Sequence, residues 1–337
     1  MKQHTHLLLH THPLLHVLGL LFCLLVPAGC ERRPLTYDTE EGVPFRIELD
    51  WNALNGAEQP LYVKALFFPV DGGRAIERYV DPAGQEVNVP PGTYNIIVYT
   101  WRTNAAAQTV QFRGDTYDTF EAYTQEKQQR LPLQRSETSL AVVPQPDALY
   151  AWNSTDEPVE VSYTKGLTTR QAKSAHSLTA AMQSMVREYQ FEINVRNAEE
   201  INTLYAVLTH VYGSQPLGGG TASEQTYGLL AQEVVRVSGN EEVVTYRCRV
   251  KAFGFYPQEK SFIINITNQS GSGQQEVIDI TQPIDDRDNG LVPPTDPIVV
   301  APQEDPIVVE RSPVGGGGGF VPPTLDDWNK KDEDITL

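Results

Sequence analysis

Short segments in which apolar and polar residues alternate recur along the sequence, and this period of two is typical of β-strands with one buried face. In residues 45–52 every second residue is apolar, namely Phe45, Ile47, Leu49 and Trp51. The clearest case is residues 243–253, where the side chains predicted to face a core are Val244, Tyr246, Cys248, Val250 and Ala252. The pattern therefore favours a mainly β protein.

Turn residues separate these segments from one another. Pro90-Pro91-Gly92 joins a fixed proline φ to a glycine that is free to adopt positive φ, and Asn55-Gly56 is a second turn signal. Many short strands joined by such turns are typical of antiparallel β-sandwiches. We predict two of them in tandem, an N-terminal β-sandwich domain over residues 43–153 and a C-terminal one over residues 154–282.

The N-terminus has the pattern of a secretory signal peptide. Residues 14–26 are apolar apart from His16, which is shorter than the roughly 20 residues of a membrane-spanning helix. Small residues precede Cys30, so cleavage is predicted to remove residues 1–29. A cysteine directly after the cut resembles the bacterial lipoprotein signal, which implies lipid attachment at Cys30. The alternative is an ordinary secreted protein with an incidental cysteine.

Both ends of the mature chain differ in composition from the strand-rich middle. Residues 30–42 are polar and are predicted to be a tether, whereas residues 283–319 are rich in proline and contain a run of five glycines, which is typical of a linker. Residues 320–337 form a strand-like tail whose candidate donor-strand residues are Trp328, Ile335 and Leu337. Such a tail could dock on another protein or pair within its own second domain.

Charge and cysteine content exclude several classes of protein. The formal net charge is −17 at pH 7 and becomes −18 once Lys2 leaves with the signal peptide, so nucleic acid is not an expected partner. Cys23 also leaves with the signal, and a lipidated Cys30 would leave Cys248 alone, so no intramolecular disulfide is expected. Stability must then come from apolar cores and strand ladders.

Motifs for catalysis, metals and cofactors are missing, so we expect neither an enzyme nor a cofactor. The sequence lacks the Gly-x-Ser-x-Gly, His-Glu-x-x-His and phosphate-loop patterns. Residues 285–290 resemble a calcium loop, but the glycine falls one place early and Pro297 stands where a bidentate glutamate belongs. A solvated acidic linker is the simpler interpretation of this stretch.

Five single residues are also predicted to be structural. His210 lies in a buried-looking strand, and Cys248 is on the inward face of its strand, so both are interpreted as core residues. The tryptophans that could stack on a sugar are more often core or rim residues at this spacing; they are Trp51, Trp101 and Trp152.

Three stretches carry a resemblance to a known family: residues 30–35, residues 89–101 and residues 189–213. They resemble lipoproteins of the Bacteroidetes related to the fimbrial (type V pilus) anchor and fimbrillin-like proteins. The resemblance implies two transthyretin-like β-sandwich domains, an outer-membrane lipid anchor and a role at the base of, or within, a surface fibre.

The same resemblance implies the partners, which would be fimbrillin-like pilus subunits joined by β-strand addition. In that mode main-chain hydrogen bonds supply affinity and alternate side chains supply specificity. The alternative function is a glycan-binding surface lipoprotein of a polysaccharide-uptake system, which exposed and aligned tryptophans would favour.

We expect Cys30→Ser to release the protein from the membrane fraction, because each acyl methylene buried in a bilayer contributes about 0.8 kcal/mol. Membrane sedimentation followed by intact mass measurement checks this, with Cys23→Ser as the matched control that keeps the lipid. Sedimentation of Cys30→Ser with the membranes would contradict the prediction.

Overall fold

β-Strands dominate the computed structural model of the protein. The structure describes residues 42–54, 62–101, 108–126, 130–132, 139–154, 157–163, 177–239, 242–291 and 296–311. The described residues from Val43 onward belong to one compact unit. Within them, no helix is long and apolar enough to cross a membrane.

The described residues of the first part of the chain form thirteen strands. They are β1 Val43–Asp50, β2 Val63–Pro69, β3 Ile76–Val80, β4 Gln85–Val89, β5 Gly92–Thr100, β6 Val110–Arg113, β7 Glu121–Thr124, β8 Arg130–Pro132, β9 Ser139–Val143, β10 Tyr150–Asn153, β11 Val159–Val161, β12 Ser177–Ala181 and β13 Gln183–Ser184. A short 3₁₀ helix, Asn52–Leu54, follows β1.

The second part contributes ten strands and one α-helix among the described residues. They are β14 Arg187–Arg196, β15 Ile201–Tyr212, β16 Ser214–Pro216, β17 Thr226–Leu230, β18 Gln232–Gly239, β19 Val243–Ala252, β20 Ser261–Asn268, β21 Gly273–Asp279, α1 Thr281–Asp288, β22 Ile298–Ala301 and β23 Ile307–Val308. A 3₁₀ turn, Ala198–Glu200, joins β14 to β15.

Two sheets enclose the first core. One has the strand order β12-β1-β4, and the other has the order β13-β10-β5-β2-β3, with β11 also paired to β5. The alternation seen in the sequence places Phe45 and Ile47 of β1 in this core, where Phe45 meets Phe67 edge-to-face with ring centroids 5.7 Å apart. Burial of one face of β1 follows directly from its period of two.

The sheet that contains β2 and β5 is buried on both faces. Its second face packs Leu66, Phe68, Ile97 and Tyr99 under the small sheet β16-β7-β6. This explains why β2 is apolar on both sides apart from Lys64, whose ammonium lies 2.9 Å from Glu77 and 4.0 Å above the Trp101 ring.

A second pair of sheets encloses the largest core. Their strand orders are β18-β19-β14-β22, with β23 also paired to β14, and β21-β20-β15-β17-β9-β8. Phe191 and Phe262 stack across this core with centroids 4.5 Å apart, and Cys248 lies buried within it. The prediction of a mainly β fold built from packed sheets is confirmed.

Strand pairing is mostly antiparallel, but four described pairs are parallel: β1–β12, β17–β9, β14–β22 and β14–β23. Parallel neighbours need a long crossover connection instead of a hairpin. Strands β11, β12 and β13 join sheets of the first part, whereas β9 joins a sheet of the second. Strands from both sides of residue 154 therefore lie in the same sheet, whereas the two predicted domains are consecutive ranges that divide at that residue.

The prediction of a linker over residues 283–319 is wrong for its described residues. Helix α1 occupies its start, and β22 and β23 follow, with Ile284, Ile298 and Ile307 buried in the second core. Among the described residues, Pro283 lies in the first turn of α1, and Pro297, Pro302 and Pro306 stand before or between the short strands, where a missing N–H breaks no ladder bond. Residues 312–319, like the predicted signal peptide and residues 30–41 of the tether, lie outside the described residues.

We expect Phe191→Ala to lower the free energy of unfolding by about 3–5 kcal/mol, because Phe191 is fully buried and stacked on Phe262. Since the sheets share strands, the fluorescence of Trp51, Trp101 and Trp152 should report the same shift in urea unfolding. The exposed Val235→Ala serves as the control. A tryptophan transition left unchanged by Phe191→Ala would show that the first core unfolds independently.

Candidate functional site

The C-terminal segment 296–311 forms a broken edge strand along β14. Ile298 pairs with Phe191, and after a register shift Ile307 pairs with Val195, both in parallel orientation. Pro302 and Pro306 separate the two short strands, because proline has no N–H for the ladder. Two short pieces of ladder alone would hold this segment weakly.

Side-chain amides supplement the ladder, and we call this set the amide clamp. Each amide nitrogen donates a hydrogen bond to a main-chain carbonyl of the segment: Asn194 to Ala301 at 2.7 Å, Asn197 to Val309 at 3.0 Å, Gln274 to Val308 at 3.0 Å and Asn268 to Glu310 at 3.3 Å. The Val309 N–H also donates to the Arg196 carbonyl at 3.1 Å. The segment is therefore fixed up to the point where residue 312 follows.

Asn194 is deeply buried within the amide clamp, with only 3% of its surface exposed, the same fraction as Asn268. Its Oδ1 accepts a 2.6 Å hydrogen bond from the Thr245 hydroxyl on β19 while its Nδ2 donates to Ala301. Both ends of the amide are thus satisfied, which a buried polar group requires because an unpaired one is costly.

A groove of about 440 Å³ lies between β21 and the C-terminal segment. Its lining is apolar apart from Gln274, Glu276 and Asp305; the apolar members are Ile278, Val300, Ala301, Pro302, Pro306, Ile307 and Val308. Three valines of β21, β22 and β23 are about half exposed, namely Val277, Val299 and Val308. The groove thus combines apolar surface with two carboxylates.

The stretch that resembled a calcium loop is mostly helical. Asp285 lies 2.7 Å from Lys260, Asp286 accepts from the Gln282 amide at 2.6 Å, and Asp288 lies 2.6 Å from Arg187. The interpretation as a solvated linker is therefore wrong, because three of its carboxylates pair within the fold. Among the described residues no group of acidic, histidine or cysteine side chains could hold a metal ion.

Helix α1 also closes one end of the second core through Tyr189. The Tyr189 hydroxyl donates to Asp288 at 2.9 Å, and burial together with the Asp288 charge raises the pKa of Tyr189. The Arg287 guanidinium donates to the Asp296 carbonyl at the start of the C-terminal segment. Helix and segment are thereby linked.

His210 and Cys248 have structural environments. His210 lies at a bulge in β15 with φ of 57°, and its Nδ1 is 3.0 Å from the Thr209 hydroxyl. Partial burial lowers the pKa of His210. The ring is hydrogen-bonded, as expected of a structural histidine, but it is only partly buried in the core. Burial raises the pKa of the Cys248 thiol to about 12, which confirms its prediction as a small core residue.

The three tryptophans are partly buried and packed against the cores. Trp51 donates from its indole to the Pro82 carbonyl at 2.9 Å and, like Trp152, packs against the first core. Trp101 packs beside Lys64 against the second face of the sheet that contains β2 and β5. The prediction that they are core or rim residues is confirmed, and they form no single exposed platform.

The residues singled out for lipid attachment and strand donation lie outside the described residues: Cys30, Trp328, Ile335 and Leu337. Sequence reasoning missed the amide clamp, because Asn194 looked like an outward-facing strand residue. One signal in the sequence did indicate the segment that the amide clamp binds. The repeated Pro-Ile-Val-Val at residues 297–300 and 306–309 has strand propensity.

A family model described as "Domain of unknown function (DUF5119)" matches residues 29–230, which is more than half of the chain. The chain belongs to this family. It is also 25% identical over 339 residues to a Bacteroides ovatus protein named "Putative fimbrium anchoring subunit Fim4B", covering 94% of this chain and 96% of that protein.

A solved structure shares the fold. A crystal structure from Bacteroides ovatus ATCC 8483, described as a "putative adhesin", aligns with TM-score 0.61 and 22% identity over 85% of this chain and 99% of that one. The fimbrial anchor protein Mfa2 from Porphyromonas gingivalis aligns with TM-score 0.41 and 10% identity over 66% of this chain and 76% of that one. The predicted resemblance to fimbrial anchor and fimbrillin-like proteins is confirmed.

We expect Asn194→Ala to destabilise the C-terminal segment by about 1–3 kcal/mol, because the Thr245 hydroxyl and the Ala301 carbonyl lose a buried partner. Hydrogen exchange measured by mass spectrometry should speed up in residues 298–309. The control is Gln190→Ala, a neutral change on the same strand. Equal exchange in both variants would show that the amide clamp does not hold the segment.

Proposed function

We propose that the protein is a surface lipoprotein of the fimbrial anchor type, held in the outer membrane through Cys30, which binds fimbrillin-like subunits by β-strand addition. The structural observation that carries the proposal is the edge position of the C-terminal segment. The amide clamp holds this segment against β14 up to Glu310, so the following tail starts from a fixed point at a sheet edge. The similarity to a protein named as a fimbrium anchoring subunit supports the same role.

Chain length allows the tail to act on a partner. The eight residues 312–319 can span at most about 29 Å when extended. Residues 320–337 follow, and Ile335 and Leu337 stand two apart, so an extended tail would present both on one face. A groove in a fimbrial subunit that accepts these side chains would also pair with the main chain of the tail.

Chain length at the other end suits a membrane anchor. The twelve residues 31–42 can span at most about 43 Å between a lipid on Cys30 and Val43 of β1. The tether would then hold the folded sheets close to the membrane surface, where a fibre base has to be. We propose no catalytic activity for this protein.

We expect the double variant Ile335→Asp and Leu337→Asp to weaken capture of fimbrial subunits at least about 100-fold, because burying each side chain contributes about 1.5 kcal/mol or more. Subunits that co-purify with the lipidated protein from its native cell surface, resistant to detergent and released by denaturant, provide the measurement. The matched control is Thr336→Asp, which adds charge on the opposite face of the same strand.

Two outcomes would contradict the proposal. Unfolding of the double variant at ordinary temperature would show that the tail pairs within its own fold. Recovery of the wild-type protein with a polysaccharide importer, and without fimbrial subunits, would favour glycan capture instead.

A further inference from the structure

Strand β21 is a regular strand at the edge of its sheet. Seven successive residues pair with β20 without a register shift, from Ser261↔Asp279 to Thr267↔Gly273. Among the described strands, β21 is the last in its sheet on that side. An edge of this kind presents main-chain groups to which another strand can bond.

The ladder shows which main-chain groups of β21 face outward. At one end Ile280 donates to the Lys260 carbonyl at 2.9 Å, and at the other Asn268 donates to the Ser272 carbonyl at 2.9 Å. Bonded and non-bonded pairs alternate in an antiparallel ladder, so the pair Ile263↔Val277 is non-bonded. The N–H and C=O of Val277 therefore point away from β20, towards the open edge.

The edge strand β18, in the other sheet of the second pair, is less regular than β21. Strand β18 pairs with β19 through two register shifts, one between Gln232 and Val235 and one between Arg236 and Ser238. Bulges of this kind bend an edge strand and interrupt its main-chain pattern, which discourages further pairing. Of these two edges, β21 is the one suited to strand addition.

The groove beside β21 selects by charge. Glu276 and Asp305 lie in its lining, and the lining contains no lysine or arginine. Glu276 shares the inward face of β21 with Ile278, so an added strand would bring its own inward side chains against both. A carboxylate in that position disfavours a purely apolar or acidic strand and favours one that carries a cation.

The protein's own tail does not match that charge. Residues 312–337 contain two lysines and five acids, the acids being Asp326, Asp327, Asp332, Glu333 and Asp334. Its net negative charge opposes entry into a groove lined by two carboxylates. A segment with net positive charge would suit the groove better than this tail does.

We infer that β21 and its groove form a second binding surface, which accepts an extended segment of a partner protein that carries both apolar residues and lysine or arginine on its inward face, at every second position. The added strand bonds to the outward main chain of Val277, its apolar side chains contact Ile278 and Ile307, and its cations face Glu276 and Asp305. This surface is separate from the tail, so it would stand even if the tail did not donate a strand.

The test uses the full mature chain in detergent and a capped, labelled nine-residue peptide whose odd positions alternate valine and lysine and whose even positions are threonine, so that one face carries both side-chain types. We expect fluorescence anisotropy to show saturable binding and hydrogen exchange to slow at the Val277 amide. The same peptide with glutamate in place of lysine should bind at least about tenfold more weakly. Binding of both peptides with equal affinity, or protection of β18 in place of β21, would overturn the inference.

Two variants locate the interaction. Glu276→Lys should weaken binding of the valine–lysine peptide at least about tenfold, whereas Glu160→Lys, the same charge change on the exposed face of β11, should leave it unchanged. Val277→Pro removes the outward N–H without removing a ladder bond to β20 and should also weaken binding of the lysine peptide in the anisotropy measurement. Unchanged binding in Glu276→Lys, with its melting temperature equal to wild type, would refute the assignment.

Discussion

The second half of the structure depends on β14. Its ten residues pair without interruption with β19 on one side, and on the other side it holds both pieces of the C-terminal segment. Its inward side chains, Phe191, Ile193 and Val195, are fully buried. On its outward face, Glu192 pairs with Arg247 of β19. One strand thus provides core, ladder and docking edge together.

Side-chain amides let this edge hold a segment that has little ladder of its own. A buried main-chain carbonyl without a partner is costly, and prolines interrupt the segment where ladder bonds would otherwise form. The amide clamp donates to four main-chain carbonyls of the segment, and the Arg287 guanidinium donates to a fifth. Because these partners come from several strands and a helix, the path of the chain towards residue 312 is set by the whole second pair of sheets.

Periodicity predicted the parts of the fold in which burial depends on local spacing. The inward faces of β1, β14 and β19, and the buried Cys248, follow from alternation alone. The prediction from composition was wrong for the described residues within 283–311, because their prolines and acids indicated a linker. The structure buries Ile284 and Ile298 and pairs the acids with Lys260 and Arg187, partners that lie far away in the sequence.

The sequence by itself determined the mainly β class, the inward faces of the long strands and the structural role of Cys248, since each follows from the period of two that an extended chain imposes. The tertiary structure alone decided which strands are neighbours. Parallel pairs such as β1–β12 and β14–β22 join residues more than a hundred positions apart. Strand pairing between distant segments depends on the packing of whole sheets, so the groove beside β21 and the amide clamp exist only in the folded protein.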